Sequence, residues 1–466
     1  MISCFECTSL ISLLIPLLDR NVTFSGIAGA VERVCETVAP VATCAALRTE
    51  VTEGLESIPP WLAREEFNAT SFCGLFSLCT TDCCAVGGPV QQITVTPWNV
   101  SEAEYVIAYV TPADDTAPPC VTVGAKNTKY CGQRHTYTAG GWLGSLVRIN
   151  AHLPDAPTAV TFSDGVVRSL TTLPSTYPLR FAVTADMGTE DESDDTLAAI
   201  AASGVDGWLN VGDESYSDGI EHIFDLYFRK IDAAFASAPR VPTLFGVGNH
   251  EIVHSFAGYR ARVVRPGVAT PNAETKYFSV RLHRVQFIQL AGESVANTAE
   301  LEGEQLEWAK RTLADAAAAR AQGEIDWIVV GNHRPFYCSD NWSDCVFYAQ
   351  YLRDAIEPAM TAAGVDLVLS GHRHNYQRFF PVTDNGRTWT KNLTAPSKPP
   401  VHILQGAAGN REGLAPDTHN TPPYEATYND TRRSYSLLSF LSPTHLQWTT
   451  YSAQDNTILD KFELKR

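Results

Sequence analysis

The sequence lacks any apolar run that could cross a membrane, because no stretch approaches the ~20 uninterrupted apolar residues that a membrane helix needs. An apolar C-terminal tail, the signal for a lipid anchor, is absent too. Basic residues are few, with 35 Lys and Arg against 52 Asp and Glu and a formal net charge of −17. This balance argues against nucleic acid as a partner and suits a protein that stays soluble in an acidic compartment or outside the cell.

The composition is that of an ordinary globular protein, since 44% of the 466 residues are apolar and 19% are charged. A chain of this length has room for two or three domains, because single cores rarely exceed ~250–300 residues. No basic segment precedes the apolar residues 11–18, and Cys4 and Cys7 come before them. We therefore expect the chain to begin with mature protein and not with a signal peptide.

Cysteines and glycosylation sequons indicate an oxidising compartment. The chain has twelve cysteines, an even number, and most lie before position 131. Asn-x-Ser/Thr sequons occur at Asn21, Asn68, Asn99, Asn341, Asn392 and Asn429. Together they predict a disulfide-bonded glycoprotein that is secreted or located in the lysosomal or vacuolar lumen.

Residues 1–84 contain apolar stripes at helical spacing, and we expect a helical domain closed by disulfides. Spacing alone leaves the pairing of its six cysteines open, and a zinc site at Cys4-x-x-Cys7 is the competing interpretation. The pattern, with Glu32-Arg-Val-Cys35 and the closing Cys73-x5-Cys79, resembles a saposin-type domain. The resemblance implies the nested pairs Cys4–Cys79, Cys7–Cys73 and Cys35–Cys44. It leaves two roles open, contact with lipid or a membrane surface and a structural cap on the next domain.

Residues 85–176 contain short alternating or β-branched runs, interrupted by Gly and Pro clusters. Short strands at such spacing predict an antiparallel β-sandwich of fibronectin type III character. The predicted strands are residues 91–97, 104–110, 135–138 and 146–153. Disulfides are expected to staple this domain, in a pairing that the spacing does not determine, from Cys83, Cys84, Cys120 and Cys131.

In residues 177–466 strands alternate with helices, which predicts a layered α/β domain. The predicted strands are residues 181–186, 208–213, 243–247, 326–330, 365–370 and 401–405, with a hairpin at 277–290 and final strands within 435–462. The predicted helices are residues 195–202, 223–235, 301–321 and 348–363. The hairpin and the final strands make the predicted sheets mixed.

Five of the predicted strands end in side chains that can bind metals. In chain order these ends are Asp186-Met-Gly, Gly212-Asp213-Glu-Ser-Tyr216, Gly248-Asn249-His250-Glu251, Gly331-Asn-His333 and Gly371-His372-Arg-His374. Side chains at the carboxyl ends of strands converge on one crevice in an open α/β sheet. The set holds carboxylates, an amide, imidazoles and a phenol but no thiolate, so it suits iron, zinc or manganese.

These five blocks, in this order, resemble the calcineurin-like metallophosphoesterases, and Tyr216 resembles the purple acid phosphatases among them. The resemblance covers roughly residues 90–466 and implies an α/β/β/α sandwich for the last domain. It implies a ferric ion held by Asp186, Asp213, Tyr216 and His374. It also implies a divalent ion, Fe²⁺, Zn²⁺ or Mn²⁺, that Asp213 bridges to the first ion and that is held by Asn249, His333 and His372.

This metal set predicts a metal-dependent acid phosphatase that hydrolyses phosphomonoesters. Two cations neutralise the anionic ester and supply bound hydroxide as the nucleophile. His250 would face the substrate and protonate the departing alkoxide. Arg334 is a candidate for binding phosphate oxygens, with an ion pair as the alternative, and Trp342 is a candidate rim residue that either contacts substrate or packs.

The segment 338–345 departs from the plant members of that family, which carry substrate-facing histidines there. Cys338 and Cys345 are expected to close a short disulfide loop in this chain. The alternative function is a saposin-assisted lipid phosphodiesterase resembling acid sphingomyelinase, but Gly188 stands where that family has a histidine and Tyr216 has no counterpart there. A scaffold glycoprotein with an inactive enzyme domain is a third possibility, which the complete set of ligands disfavours.

Overall fold

The computed structural model of the protein describes residues 81–82, 90–137, 142–154, 157–268, 273–395, 398–415 and 420–466. The predicted saposin-like domain lies outside these residues. So do its disulfides and sequons, which are Cys4–Cys79, Cys7–Cys73, Cys35–Cys44, Asn21 and Asn68. Cys83 and Cys84 also lie outside the described residues.

Eight of the first ten strands of the described chain, β1 to β10, build a β-sandwich. The ten strands are Thr81–Asp82, Gln91–Asn99, Glu104–Thr111, Cys120–Val123, Thr128–Cys131, Gln133–His135, Trp142–Leu143, Ser145–His152, Thr158–Thr161 and Val167–Leu170. Two antiparallel sheets form, with the orders β2-β3-β8-β6 and β10-β9-β4-β5, while β1 pairs with β7. A disulfide between Cys120 and Cys131 links β4 to β5 and so settles one pairing that the sequence left open. The fibronectin type III assignment stays a prediction.

Strand β3 contributes to two apolar contacts, one inside the sandwich and one with the second half of the protein. Its alternate residues Tyr105, Ile107 and Tyr109 point into the core between the two sheets. Val106, on the opposite face of the strand, packs with Val264 from that second half. Because successive side chains of a strand point to opposite faces, one apolar strand serves both contacts.

The chain from residue 179 forms four layers in the order α/β/β/α. Strands β11 to β25 are Leu179–Thr184, Gly207–Asn210, Thr243–Phe245, Phe278–Leu282, Val285–Gln289, Trp327–Gly331, Leu367–Ser370, Tyr376–Phe379, Val382–Thr383, Thr388–Trp389, Val401–Gln405, Glu425–Asn429, Ser434–Ser442, His445–Ser452 and Ile458–Lys465. Helices α1 to α5 are Asp191–Ala202, Glu221–Ala234, Val253–Arg262, Gly303–Ala321 and Ala349–Ala363. The sheets have the orders β13-β12-β11-β23-β24-β25 and β14-β15-β16-β17-β21-β18-β22, and both are mixed.

The main core lies between the two large sheets. Phe181 and Val183 of β11 meet Val329 of β16 and Leu367 of β17 there. Ala182, on the other face of β11, packs among residues of α1 and α2. Helices α4 and α5 cover the outer face of the second sheet in the same way. The central strands are therefore buried on both faces, which is why they occur in the sequence as continuous apolar runs.

The helices differ from the sequence-based prediction at three places. Helix α1 begins at Asp191 instead of 195, because acidic residues in its first turn interact favourably with the helix dipole. A π-helical turn, Asp344–Tyr348, precedes α5. Helix α3 was not predicted, and it includes positive φ angles at residues 254–256, which no Gly or Asn signals. Among the helices that the structure describes, none combines the length and the hydrophobicity that crossing a membrane requires.

Arg262, at the end of α3, joins the sandwich to the α/β layers. Its guanidinium donates to Glu221 at 3.1 Å and to Asp225 at 2.6 Å, both on α2. It also donates to the side-chain oxygens of Gln92 at 3.0 Å and Tyr137 at 2.8 Å, which come from the sandwich. The Arg262 side chain is only 1% exposed, so this network fixes the contact between the two parts from the inside.

We predict that Arg262→Ala lowers the free energy of unfolding by about 3–5 kcal/mol, because Glu221 and Asp225 would be left buried without their cation. Urea unfolding followed by circular dichroism measures this change. The control is Arg281→Ala, which removes an exposed pair with Glu324 and should cost less than about 1 kcal/mol. Equal losses in the two variants would contradict the assignment of Arg262 to the interface.

Candidate metal centre

The ends of five strands meet at one edge of the two facing sheets. Strands β11, β12 and β13 are parallel neighbours in the first sheet, and β16 and β17 are parallel neighbours in the second. Their carboxyl ends therefore lie together, as the sequence predicted. The residues after these strands supply a polar cluster in which five residues are buried and Asn249 and His374 are partly exposed: Asp186, Asp213, Tyr216, Asn249, His333, His372 and His374.

Three of these side chains, Asp186, Tyr216 and His374, form a first triad. The Tyr216 hydroxyl lies 3.2 Å from Asp186 Oδ1 and 2.9 Å from His374 Nε2. His374 Nε2 lies 3.6 Å from the same carboxylate oxygen. Asp186 and Tyr216 are both fully buried, so three donor atoms from three strand ends point at one another away from solvent.

Asn249, His333 and His372 form a second triad. Asn249 Oδ1 lies 2.8 Å from His372 Nδ1 and 3.2 Å from His333 Nε2. The Nδ1 of His333 faces the carbonyl oxygen of Val211 at 3.3 Å, which places a proton on Nδ1 and directs Nε2 at the oxygens of Asn249 and Asp213.

Asp213 stands beside the second triad and is the candidate bridge to the first. Its Oδ2 lies 3.0 Å from His333 Nε2, and its Oδ1 accepts the backbone N–H of His250 at 2.9 Å. Gly248 permits this approach, because a Cβ at that position would lie 2.0 Å from Asp213 Oδ1. Glu251 ties the two loops together by accepting backbone N–H groups of Gly248 at 2.8 Å and Asp213 at 3.1 Å.

The donor atoms have the spacing that cations require. Ligand bonds of about 2.0–2.2 Å put neighbouring donors roughly 2.8–3.6 Å apart, the shorter distances at octahedral angles and the longer ones at tetrahedral angles. The contacts within the second triad and from Asp213 to His333 are 2.8 to 3.2 Å. The contacts of the Tyr216 oxygen in the first triad are 2.9 and 3.2 Å. The residues present therefore fit two metal ions.

The backbone at this edge is held in an uncommon conformation. Positive φ angles of 59°, 53°, 55° and 74° occur at Asp186, Asp213, Tyr216 and His372. Non-glycine residues adopt this region seldom, and such strain of about 1–3 kcal/mol each concentrates at functional sites. The turns thus direct side chains into the crevice at the expense of local backbone stability.

The pKa values of the cluster are shifted by burial and by the charges of its own members. Burial raises the pKa of the Asp186 carboxyl and of the Tyr216 hydroxyl well above their ordinary values, and neighbouring carboxylates raise that of Tyr216 further. Burial would lower the pKa of His333, but Asp213 and Asp186 outweigh it and raise the pKa to about 9. Burial lowers the pKa of His372 and of His374 to about 3, so both rings are neutral and offer lone pairs. A buried group of carboxyl groups and imidazoles is stabilised by bound cations, which replace the protons that the ligands otherwise hold.

His250 lies over the first triad but points differently from the ligands. Its ring packs on Tyr216 with 4.0 Å between centroids, and its Nδ1 lies 2.8 Å from Asp218 Oδ1. Its Nε2 faces Glu412 Oε1 at 3.5 Å and Asp213 Oδ2 at 4.0 Å. Burial opposes protonation, yet Asp218 and Asp213 raise the pKa of His250 to about 10. Both nitrogens of this partly buried ring therefore face carboxylates, and Nε2 points into the crevice.

Arg334 and Trp342 lie on the side of the second triad. Arg334 is 2% exposed and pairs with Glu293 at 2.8 Å and with Asp344. Trp342 is 37% exposed and stacks on the ring of His372 with 5.2 Å between centroids. The expected disulfide between Cys338 and Cys345 is present in the structure and closes the loop that contains Trp342.

Several residues of the site were not predicted from the sequence. They are Asp218, Glu293, Asp344, Arg411 and Glu412. Asp218 could have been found, because it comes two positions after Tyr216 in an acidic Ser-rich turn. Arg411 and Glu412 come after β21, one more strand that ends at the same edge, and Arg411 and His374 line a pocket of about 310 Å³. Nothing in the sequence distinguishes Asp344 or Glu293 from surface acids.

The comparisons with known families match this part of the chain. Residues 179–376 match the family described as calcineurin-like phosphoesterase. Residues 399–461 match the family described as iron/zinc purple acid phosphatase-like protein C. The first of these segments contains all seven candidate ligands, and the second contains the strands that complete the first sheet.

Curated relatives include phosphatases of plants and animals. Purple acid phosphatase 22 of Arabidopsis thaliana is 28% identical over 298 residues, which cover 62% of this chain and 64% of the relative. Acid phosphatase type 7 of Danio rerio is 30% identical over 292 residues, which cover 57% of this chain and 63% of the relative. The chain thus spans less than two thirds of the length of these relatives.

Solved structures share the architecture. The structure of purple acid phosphatase PPD1 from yellow lupin seeds aligns with a TM-score of 0.66 at 16% identity, covering 81% of this chain and 74% of that one. A structure of PhoD aligns with a TM-score of 0.53 at 12% identity, covering 82% and 94% of the two chains. These likenesses concern the fold alone, and they confirm the metallophosphoesterase sandwich predicted from the sequence.

Proposed function

We propose that the protein is a metal-dependent acid phosphatase that hydrolyses phosphomonoesters, because residues 179–376 match the calcineurin-like phosphoesterases and residues 399–461 match the iron/zinc purple acid phosphatase-like C family. The observation that carries the proposal is the pair of buried donor triads with Asp213 beside them. Tyr216 within the first triad supports the purple acid phosphatase type, since a buried phenol among carboxylates is a suitable ligand for a trivalent cation.

The first triad and Asp213 would hold Fe³⁺, and the second triad and Asp213 would hold a divalent ion, Fe²⁺, Zn²⁺ or Mn²⁺. Two such cations, when bound, neutralise the phosphoryl oxygens and lower the pKa of water enough to provide the nucleophile. The chain itself contributes the rigid placement of the donors and a nearly dry crevice, because Asp186, Asp213, Tyr216 and His333 are at most 1% exposed.

His250 would act as the general acid. Its Nε2 faces the crevice, and although burial lowers the pKa of the ring, the Asp218 carboxylate at Nδ1 raises it and favours the protonated form. The proton would move from Nε2 to the oxygen of the departing alcohol. Asp218 holds Nδ1 and so directs Nε2, while Arg411 fixes Asp218 by pairing with its other oxygen. Glu412, about half exposed beside Nε2, would lie where the alcohol leaves.

We predict that Asp218→Asn lowers kcat for an alkyl phosphate about 10–100-fold, because a charged hydrogen bond worth about 1.5–3 kcal/mol orients the His250 proton. Metal content should stay unchanged. In the described part of the chain, Asp218 is hydrogen-bonded to His250 and Arg411 and not to a candidate metal ligand. Steady-state kinetics together with metal analysis check this. If the variant lost only metal content, or changed only KM, Asp218 would not orient the His250 proton.

The proposed function is tested on the purified full chain with p-nitrophenyl phosphate and with sphingomyelin. We expect hydrolysis of the aryl phosphate at acid pH and a visible Tyr216-to-iron absorption band. Preference for sphingomyelin would favour the lipid phosphodiesterase instead. An active protein without iron and without the band would contradict the ferric assignment.

We also propose a compartment and a domain organisation for the protein. A secreted or lysosomal or vacuolar glycoprotein is supported by the partial or full exposure of the described sequons Asn99, Asn341, Asn392 and Asn429. We propose the domains 1–84, 85–176 and 177–466, with lipid or membrane-surface contact or a structural cap as the roles of the saposin-like first domain. Glycosidase treatment and vesicle binding of the full chain test these points.

A further inference from the structure

The disulfide loop formed by residues 338–345 lies against one candidate ligand, His372. Asp344 Oδ2 is 2.6 Å from His372 Nε2, on the edge of the ring opposite to Asn249. Trp342 stacks on the same ring at an interplanar angle of 29°. Two loop residues therefore fix the His372 ring: Trp342 stacks on its face, and Asp344 contacts its edge.

The contacts of His372 bear on which ring nitrogen would face a metal ion. An imidazole that binds a cation offers the lone pair of one nitrogen and donates a hydrogen bond from the other. A carboxylate at 2.6 Å from Nε2 accepts that hydrogen bond, which leaves the lone pair on Nδ1. Nδ1 then faces the same point as Asn249 Oδ1, at the 2.8 Å expected of two neighbouring ligands of one cation.

We propose that Asp344 is a positioning residue that sets His372 as an Nδ1 ligand and thereby determines the affinity of the divalent site. This inference rests on the proposed dinuclear centre and deepens it. A carboxylate that orients a metal-binding histidine raises the basicity of the ring and fixes its direction. The ligands of the ferric site do not touch Asp344 in the described structure, so the effect should be confined to one ion.

Arg334 belongs to the same arrangement. Its three nitrogens donate to Glu293, to Asp344 and to the main-chain and side-chain oxygens of Asn297. Its Nη1 lies 3.1 Å from His372 Nε2, and both atoms face the same oxygen of Asp344. With its donors engaged and 2% exposure, Arg334 favours the ion-pair alternative, in which it holds Asp344 in place.

The loop is anchored at several points, which makes Asp344 a fixed partner. Cys345, the next residue, is bonded to Cys338. Asp340 pairs with Arg373 at 2.6 Å and accepts from Asn375 at 3.0 Å, beside the strand end that carries His372. A group held this firmly loses little conformational entropy when it orients another side chain.

The test is the affinity for Zn²⁺ alone, measured by chelator competition on the full iron-containing chain. Asp344→Asn and Asp344→Ala should bind Zn²⁺ about 10–100-fold more weakly than the unaltered protein. Iron content and the visible band should not change, because Asp186, Tyr216 and His374 are untouched. The control Asp354→Asn removes an exposed carboxylate of α5 that bonds Asn385, and it should leave Zn²⁺ affinity unchanged.

Two results would overturn the proposal. One is an unchanged Zn²⁺ affinity in both Asp344 variants. The other is the loss of iron, band and Zn²⁺ together, which would show that Asp344 supports the whole fold of the site. If the unaltered protein itself bound neither iron nor Zn²⁺, the proposed function would fail first, and metal analysis of that protein distinguishes this case.

Discussion

An Asp213→Asn variant is expected to lose phosphatase activity by roughly 10³-fold and to retain at most one metal ion per chain. Asparagine keeps the shape of the side chain but removes the negative charge that would be shared by two cations. Two-metal stabilisation of the transition state is worth several kcal/mol, and about 4 kcal/mol corresponds to 10³-fold. Metal analysis and kcat/KM for p-nitrophenyl phosphate measure the two losses.

The matched control for this variant is Asp460→Asn. Asp460 is also a buried carboxylate, and it pairs with Arg378 at 2.6 Å and with the Tyr376 hydroxyl at 2.8 Å. Its loss should lower stability and leave the metal content unchanged. An Asp213→Asn protein that keeps two metal ions and full activity would contradict the bridging role.

The seven candidate ligands could be predicted from the sequence because the sheet topology largely determines which strand ends lie together. Parallel strands buried on both faces appear as apolar runs, and their carboxyl ends must lie at one edge. Asp186 and Asp213 come after β11 and β12, and His333 and His372 come after β16 and β17. A prediction of strands that is correct to within a few residues therefore brings the right side chains together.

The residues that orient the ligands could not be predicted in the same way. Asp344 reaches His372 through a π-helical turn and a disulfide loop, and the geometry of such a loop cannot be derived from hydrophobic periodicity. The sequence left two roles open for Arg334, phosphate binding and an ion pair. The positions of Glu293 and Asp344, which the sequence does not give, favour the ion pair. Side-chain direction in loops depends on packing from distant parts of the chain, which the local sequence does not record.

His250→Ala is expected to lower kcat for an alkyl phosphate by about 10²–10⁴-fold, which is the usual contribution of a general acid. Hydrolysis of 2,4-dinitrophenyl phosphate should change far less, because dinitrophenolate is a stable anion and leaves without a proton. The ratio of the two rates is the diagnostic quantity. Steady-state kinetics with both esters on the same metal-loaded preparation provide it.

The ratio separates proton donation from other roles of His250. If the imidazolium only attracted phosphate, both esters would lose the same factor, because both carry the same phosphoryl charge. If His250 only shaped the site, metal content would fall as well, since its ring packs on the candidate ligand Tyr216 with 4.0 Å between centroids. The control His445→Ala removes a partly exposed histidine that pairs with Glu463, and it should alter neither rate. A selective loss on the alkyl ester with both metals retained therefore assigns the proton to His250 Nε2.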